Sequence, residues 1–343
     1  MTGPWQHPSV WATHYGSTQF PTPCGWYRIT MPFDELRRHG WDARRATSSQ
    51  LPPPESEEAD IFVMQGGDRP EAAAVLRQRA AYQRLVYETD DDYFNIPRAI
   101  EDAYAKYIRP DVRAAIAANM RACDIVTVTT ETLAASVREH ASHPDVRVLP
   151  NCIPDGVLDL IPSRLARRTV IGWTGSGGRD QDFAVVRDAV IPVLETVKRT
   201  EMHFMGTDYR HLLPKHLPAR HTHPTAVSVD WRAWFSGYDF SIALAPIADI
   251  PFNRARSGLK AIEAFGMGIP VLASDLDPYR GLVTDGVNGY LCRTPDDWAK
   301  RLRELTCDRA AREEMGTKAR ETARAHVISA GVRNWDAAYR SLL

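Results

Sequence analysis

The chain is poor in cysteine. Its five cysteines in 343 residues (Cys24, Cys123, Cys152, Cys292 and Cys307) are scattered, odd in number and never spaced C-x-x-C. That pattern argues against a disulfide framework or a zinc site and for a reducing cytoplasm. Long apolar runs are missing too: none reaches the roughly 18 residues that a membrane-spanning helix needs. The first twenty residues carry Pro4, Gln6, His7 and Pro8 and lack a basic start followed by an apolar stretch, so no secretory leader is expected and a cytoplasmic location is. Neither sign of charge dominates, with 42 basic against 43 acidic side chains, which leaves no broadly basic domain for nucleic acid. Two phosphate signatures are also lacking: no Gly-Lys-Ser/Thr occurs, and no G-x-G-x-x-G is followed by a well-placed ribose acid.

What is present is ordinary for a globular protein, 44% hydrophobic and 25% charged. The length favours two domains, at roughly 100–200 residues each. The near-neutral total hides an asymmetry. Residues 1–155 hold 16 basic and 21 acidic side chains (−5), and residues 156–343 hold 26 and 22 (+4). A cationic second half suits phosphate handling, although such a split also arises by chance.

Strand-like apolar runs alternate with helix-length segments, the pattern of parallel α/β sheets. In the first half, strands are expected at 10–15, 59–65, 84–89, 124–129 and 146–150, with helices at 32–40, 70–81, 100–122 and 131–140. The proline-rich stretch 48–58 reads as a surface loop. The pattern breaks at Asn151, Pro154, Gly156 and Pro162. It resumes with strands at 169–174, 202–205, 240–245 and 270–274 and helices at 183–199, 231–237 and 256–266. The sequence is helical from Pro295 onward. The expected domains are 1–155, a linker at 156–168, a second domain at 169–325, and a C-terminal helix within 326–343 that packs back on the first domain through Trp335 and Tyr339.

Two segments carry chemistry. Ile171–Arg179 (IGWTGSGGR) is a strand running into a glycine-rich turn before a helix. Gly175, Gly177 and Gly178 let backbone approach a ligand, and N–H groups at the helix start attract phosphate. The turn reads equally as a phosphate site or as a tight βα connection. The second is Pro251–Ser274 (PFNRARSGLKAIEAFGMGIPVLAS). A helix starting near Ser257 places Arg256, Lys260 and Glu263 on one face. Two cations there can neutralise a diphosphate while Glu263 accepts ribose hydroxyls. The plainer alternative is a solvated charged face with a Lys260–Glu263 ion pair.

The second segment resembles the nucleotide-sugar site of GT-B glycosyltransferases, especially the group 1, family 4-like enzymes. Further matches follow in the right order: Gly25-Trp26-Tyr27-Arg28 with Pro32 and Leu36; Val86–Phe94 with its Asp90-Asp91-Asp92; Ala122–Thr130; Val148–Asn151; and Ile171–Ser176. The resemblance spans roughly Tyr15 to Cys292. It implies an α/β architecture of two Rossmann-like domains facing a cleft, with the donor held mainly by the second. It also implies that Gly175, Ser176 and Gly177 border the donor phosphates with Arg179 beside them. Lys260 and Arg256 become diphosphate contacts, Ser257, Gly258 and Leu259 offer helix N-terminal amides, and Glu263 binds the ribose. The family's other glutamate in this motif falls at Ala255, which leaves the donor sugar unassigned.

Asp90, Asp91 and Asp92 read either as a turn and helix cap or as a site. The family places a sugar or acceptor contact at this strand end, and Asp90 or Asp91 becomes the general base of an inverting enzyme. Most family 4 relatives retain configuration, which needs no protein nucleophile. Adjacent carboxylates also suit Mg²⁺ or Mn²⁺, but the family typically needs no metal, and no tightly bound cofactor is expected. Gly25, Trp26, Tyr27, Arg28 and Asp92 are acceptor-side candidates. The partners expected are a UDP- or GDP-linked sugar and an acceptor hydroxyl on a glycan, protein or lipid carrier; a hydroxymethylated DNA base is a less favoured acceptor. The competing reading is a nucleotide-sugar-binding module without turnover, and an epimerase on the same fold comes last. His221-x-His223 lacks a matching ligand pair and reads as surface loop. Cys24 reads as a small buried residue, and the arginines 37, 38, 44 and 45 as a solvated face. The aromatic N-terminus, with Trp5, Trp11, Tyr15, Trp26, Tyr27 and Trp41, reads as core.

Overall fold

The computed structural model describes residues 7–14, 21–47, 54–160 and 168–343. Trp5, Tyr15, most of the proline-rich loop and most of the expected linker therefore lie outside the described residues. The chain forms two compact units. Unit 1 comprises Met1–Cys152, Ala255–Ser257 and Ile328–Leu343, and unit 2 comprises Ile153–Arg254 and Gly258–Val327.

Unit 1 is built on six parallel strands, β1 (Ser9–His14), β2 (Asp42–Thr47), β3 (Ile61–Gln65), β4 (Arg84–Glu88), β5 (Ile125–Val128) and β6 (Val146–Val148), in the order β2-β1-β3-β4-β5-β6. Every residue of β3 and β5 is buried, as expected where helices cover both faces of a parallel sheet. The edge strand β2 (DARRAT) carries Arg44 and Arg45 in place of an apolar run, a common protection against edge pairing. A Thr22-capped turn, α1 (Pro23–Gly25), runs through a π-helical turn at Trp26–Thr30 into α2 (Met31–Arg38). The helices α3 (Pro70–Arg79), α4 (Glu101–Tyr107), α5 (Pro110–Arg121) and α6 (Glu131–Ala141) follow. The single helix expected over 100–122 is two, because Pro110 cannot donate to an i−4 carbonyl and instead opens α5. Thr130 caps α6 through its hydroxyl, which accepts from the Leu133 N–H at 3.1 Å.

Unit 2 repeats the plan with β7 (Thr169–Gly175), β8 (Thr200–Gly206), β9 (Ala219–Thr222), β10 (Ile242–Ala245), β11 (Val271–Ser274) and β12 (Gly289–Cys292), ordered β12-β11-β10-β7-β8-β9. Its helices are α7 (Asp180–Thr196), α8 (Trp231–Ser236), α9 (Pro251–Ala255), α10 (Leu259–Gly266), α11 (Pro295–Cys307) and α12 (Arg309–Ala323). The pair β7–β8 stays in register from Thr169↔Thr200 to Gly175↔Gly206. Trp173, Phe183, Phe204 and Tyr209 form an aromatic centre beside it, with Trp173–Phe183 ring centroids 5.1 Å apart.

The last helix, α13 (Ile328–Arg340), belongs to unit 1. Trp335 and Tyr339 are buried there. The Trp41 indole N–H donates to Asp336 at 2.7 Å, and the Tyr339 ring meets Phe33 and Trp41 edge-on.

Candidate nucleotide-sugar site

In unit 2 the chain runs outward from β7 to β8 and β9, then returns to the other side of β7 as β10. The strand order therefore reverses between β7 and β10, and an open α/β sheet binds ligands beyond the carboxyl ends of its strands at such a point. The glycine turn lies there. Gly175 ends β7, Gly177 is exposed, and Gly178 takes a left-handed φ of 75° that favours glycine. The Tyr209 hydroxyl locks the turn: it donates to the Ser176 carbonyl and accepts from the Arg179 N–H at 3.0 Å. The N-cap residue of α7, Arg179, makes no side-chain cap hydrogen bond. The Arg179 guanidinium lies 3.8 Å from Asp182 and 5.8 Å from the centroid of Phe252. Asp182 in turn accepts from the Ala248 N–H (2.9 Å) and the Asn253 amide (2.8 Å), which fixes the loop after β10.

The expected helix over 256–266 starts later. α9 ends at Ala255 and α10 begins at Leu259, with Gly258 as its N-cap. Gly258 is tight on its outer side, where a Cβ would come within 2.2 Å of Leu282 and 2.4 Å of the Pro278 carbonyl oxygen. Lys260 and Glu263 share α10, but Arg256 is not on that helix and does not share its face. Arg256 and Ser257 pack with unit 1, where the Asn151 amide donates to Ser257 Oγ at 2.9 Å. The Lys260 ammonium sits 5.2 Å from the centroid of Trp173, the residue two before Gly175. Glu263 is only 4% exposed. Its Oε1 accepts the Trp234 indole N–H at 3.1 Å and its Oε2 the Tyr238 hydroxyl at 2.7 Å. Burial, then the Glu263 charge, push the Tyr238 phenol well above its usual range. Neither aromatic was singled out from the sequence. The signal was the four-residue spacing of two large rings with polar tips around a short helix.

In unit 1, Asp90 and Asp91 follow β4 and converge with Cys24. One ligand atom from each lies within 4.8 Å of the others, making this the one group of three metal-ligand side chains among the described residues. A thiol and two carboxylates are a donor set that a divalent cation can use. The same closeness drives the Asp90 carboxyl up to about 7, through burial first and the Asp91 charge second, against the Cys24 hydrogen bond and the Arg28 charge. Burial and Asp90 push the Cys24 thiol up as well.

Gly25, Trp26, Tyr27 and Arg28 are buried. Arg28 gives Nε to Glu88 Oε1 (2.7 Å), Nη2 to Glu88 Oε2 (3.2 Å), and Nη1 to the Leu149 carbonyl (2.5 Å) and to Asn151 Oδ1 (2.9 Å). Thr127 adds its hydroxyl to Glu88. Asp92 is a turn cap, accepting from the Phe94 N–H at 3.1 Å and the Asn95 amide at 2.8 Å. His221 lies on the edge strand β9, not in a loop, and meets the Gly206 carbonyl through Nε2 at 2.7 Å, with His223 Nδ1 at 3.2 Å from the same oxygen.

Residues 245–322 match the family model described as glycosyl transferases group 1. The D-inositol 3-phosphate glycosyltransferase of Paenarthrobacter aurescens is 32% identical over 95 residues, 27% of this chain and 22% of that protein. Its namesake from Nocardia farcinica is 39% identical over 77 residues, 22% of this chain and 17% of that protein. The matches thus span about a fifth of those relatives' length. Solved structures align along nearly the whole chain. Sucrose-phosphate synthase from Thermosynechococcus elongatus has a TM-score of 0.69 at 13% identity, covering 98% of this chain and 99% of that one. Anabaena HepE, solved with UDP and glucose, has a TM-score of 0.67 at 14% identity, covering 98% and 100%. The fold is that of the GT-B glycosyltransferases. Within this GT-B chain the group 1 signature coincides with the segment carrying Lys260 and Glu263. No helix among the described residues is long and apolar enough to cross a membrane.

Proposed function

We propose that the protein transfers a sugar from a nucleoside-diphosphate donor, UDP- or GDP-linked, to an acceptor hydroxyl. The observation that carries this reading is the buried Glu263 carboxylate, held by Trp234 and Tyr238 on the helix that also presents Lys260. In this reading Glu263 takes the ribose hydroxyls. Gly175, Ser176, Gly177 and the first amides of α7 border the diphosphate, with Arg179 bracing the turn. Lys260, Arg256 and the amides of Ser257, Gly258 and Leu259 meet the charge that grows on the departing diphosphate as the glycosidic bond breaks. No metal is needed in this scheme, because those cations and amides do the neutralising. Asp90 or Asp91 faces the acceptor hydroxyl, as general base if configuration inverts; in the retaining course preferred here no protein nucleophile forms. The work is placed in the cytoplasm.

The test is nucleoside-diphosphate release across a panel of UDP- and GDP-sugars, with and without a chelator. Lys260→Ala and Glu263→Ala should each lower release by about a hundredfold or more, and EDTA should leave wild-type release unchanged. Unchanged release in both variants sinks the assignment. Tight nucleotide binding with no release from any donor, across a full acceptor panel, would instead establish a binding module. Loss of activity in EDTA would move the Cys24–Asp90–Asp91 trio into the role of a metal site.

A further inference from the structure

Glu263 is a buried carboxylate whose two oxygens are each gripped by a different aromatic side chain. The grip is directional. An indole N–H can only donate, so Trp234 always presents a proton to Oε1. The Tyr238 hydroxyl can donate or accept, but an ionised carboxylate oxygen can only accept, so at 2.7 Å its proton goes to Glu263 Oε2. Two donors, one on each oxygen, fix the plane and direction of the carboxylate. A vicinal diol is recognised by two acceptors at set spacing, so a carboxylate that cannot rotate discriminates more sharply than one that can.

We infer that Tyr238 and Trp234 are positioning residues that set the protein's selectivity for a ribose over a deoxyribose nucleotide. The inference rests on the reading of Glu263 as the ribose-binding acid. Tyr238 packs by its ring against Phe235 (5.8 Å) and Phe240 (5.1 Å), so Tyr238→Phe keeps the packing and removes the hydroxyl alone. Trp234→Phe likewise removes the N–H.

The experiment measures dissociation constants by calorimetry for UDP, GDP and their 2′-deoxy and 3′-deoxy forms on the full chain. Wild type should prefer the ribonucleotide. Tyr238→Phe should weaken the ribonucleotide about tenfold and leave the deoxy forms within about twofold, so the ratio collapses. Trp234→Phe should act in the same direction. Equal weakening of ribo and deoxy forms, with the ratio intact, would mean the aromatics only support the fold and would overturn the inference. If wild type makes no distinction, or if Glu263→Ala leaves the ratio unchanged, the ribose reading itself falls, and this inference falls with it.

Discussion

Asp90 is a carboxylic acid that the fold holds close to neutrality's edge. Burial and the neighbouring Asp91 charge lift it to about 7, while the Cys24 thiol and the Arg28 guanidinium pull the other way. An unfolded aspartate titrates near ~4. Between those values the folded protein binds a proton that the unfolded chain has released, so stability falls as pH rises through that window. Below it both states are protonated, and above it the cost is complete. Replacing Asp90 by Asn removes the titration. Thermal melts from pH 4 to 8 should show the wild type losing Tm relative to Asp90→Asn as pH rises, with the two converging at the acid end. In the role of general base Asp90 acts only when ionised, so the transfer rate should climb to a plateau above about pH 7. The trio of Cys24, Asp90 and Asp91 was not legible in the sequence: Asp90-Asp91-Asp92 is visible as a run, but Cys24 lies 66 positions upstream and only the fold brings it there.

Among the elements, what the sequence announced were the buried strands and the glycine turn, because parallel strands covered on both faces must be apolar along their length. Of the four edge strands, β6 was expected but β2, β9 and β12 escaped. β2 reads DARRAT and β9 reads ARHT, and nothing in an edge strand obliges alternate residues to be hydrophobic. The site was half legible for a similar reason. Lys260 and Glu263 are spaced for one helix face, and that helix exists, but the backbone breaks after Ala255, so Arg256 leaves it. The surroundings of Ala255 do not suit a glutamate. Ala255 is 2% exposed, joins the cluster around Leu133, Ala134 and Val137, and its carbonyl accepts the Thr130 hydroxyl at 2.7 Å. A carboxylate there would be buried among apolar side chains. Ala255→Glu should therefore destabilise the protein by on the order of 2–4 kcal/mol, read from its urea midpoint, and should not sharpen donor sugar choice.

On the scale of the molecule, each unit has its own six-stranded sheet and core, and unit 1 is closed by α13. Trp335 is fully buried, with the Arg28 guanidinium carbon 5.2 Å from the centroid of its ring. Trp335→Ala should cost about 3–5 kcal/mol, and in chemical denaturation that loss should appear in the transition of unit 1, with the transition of unit 2 little moved. Unit 1 takes its sheet from before unit 2 in sequence and its closing helix α13 from after it. Translation at roughly 5–20 residues per second separates the emergence of Cys152 from that of Leu343 by about ten to forty seconds. Throughout that interval the nascent sheet of unit 1 lacks the lid that covers Phe33 and Trp41. Unit 2, nearly continuous in sequence, can finish meanwhile. In chain order, then, the sheet of unit 1 is made before unit 2 and its closing helix after it.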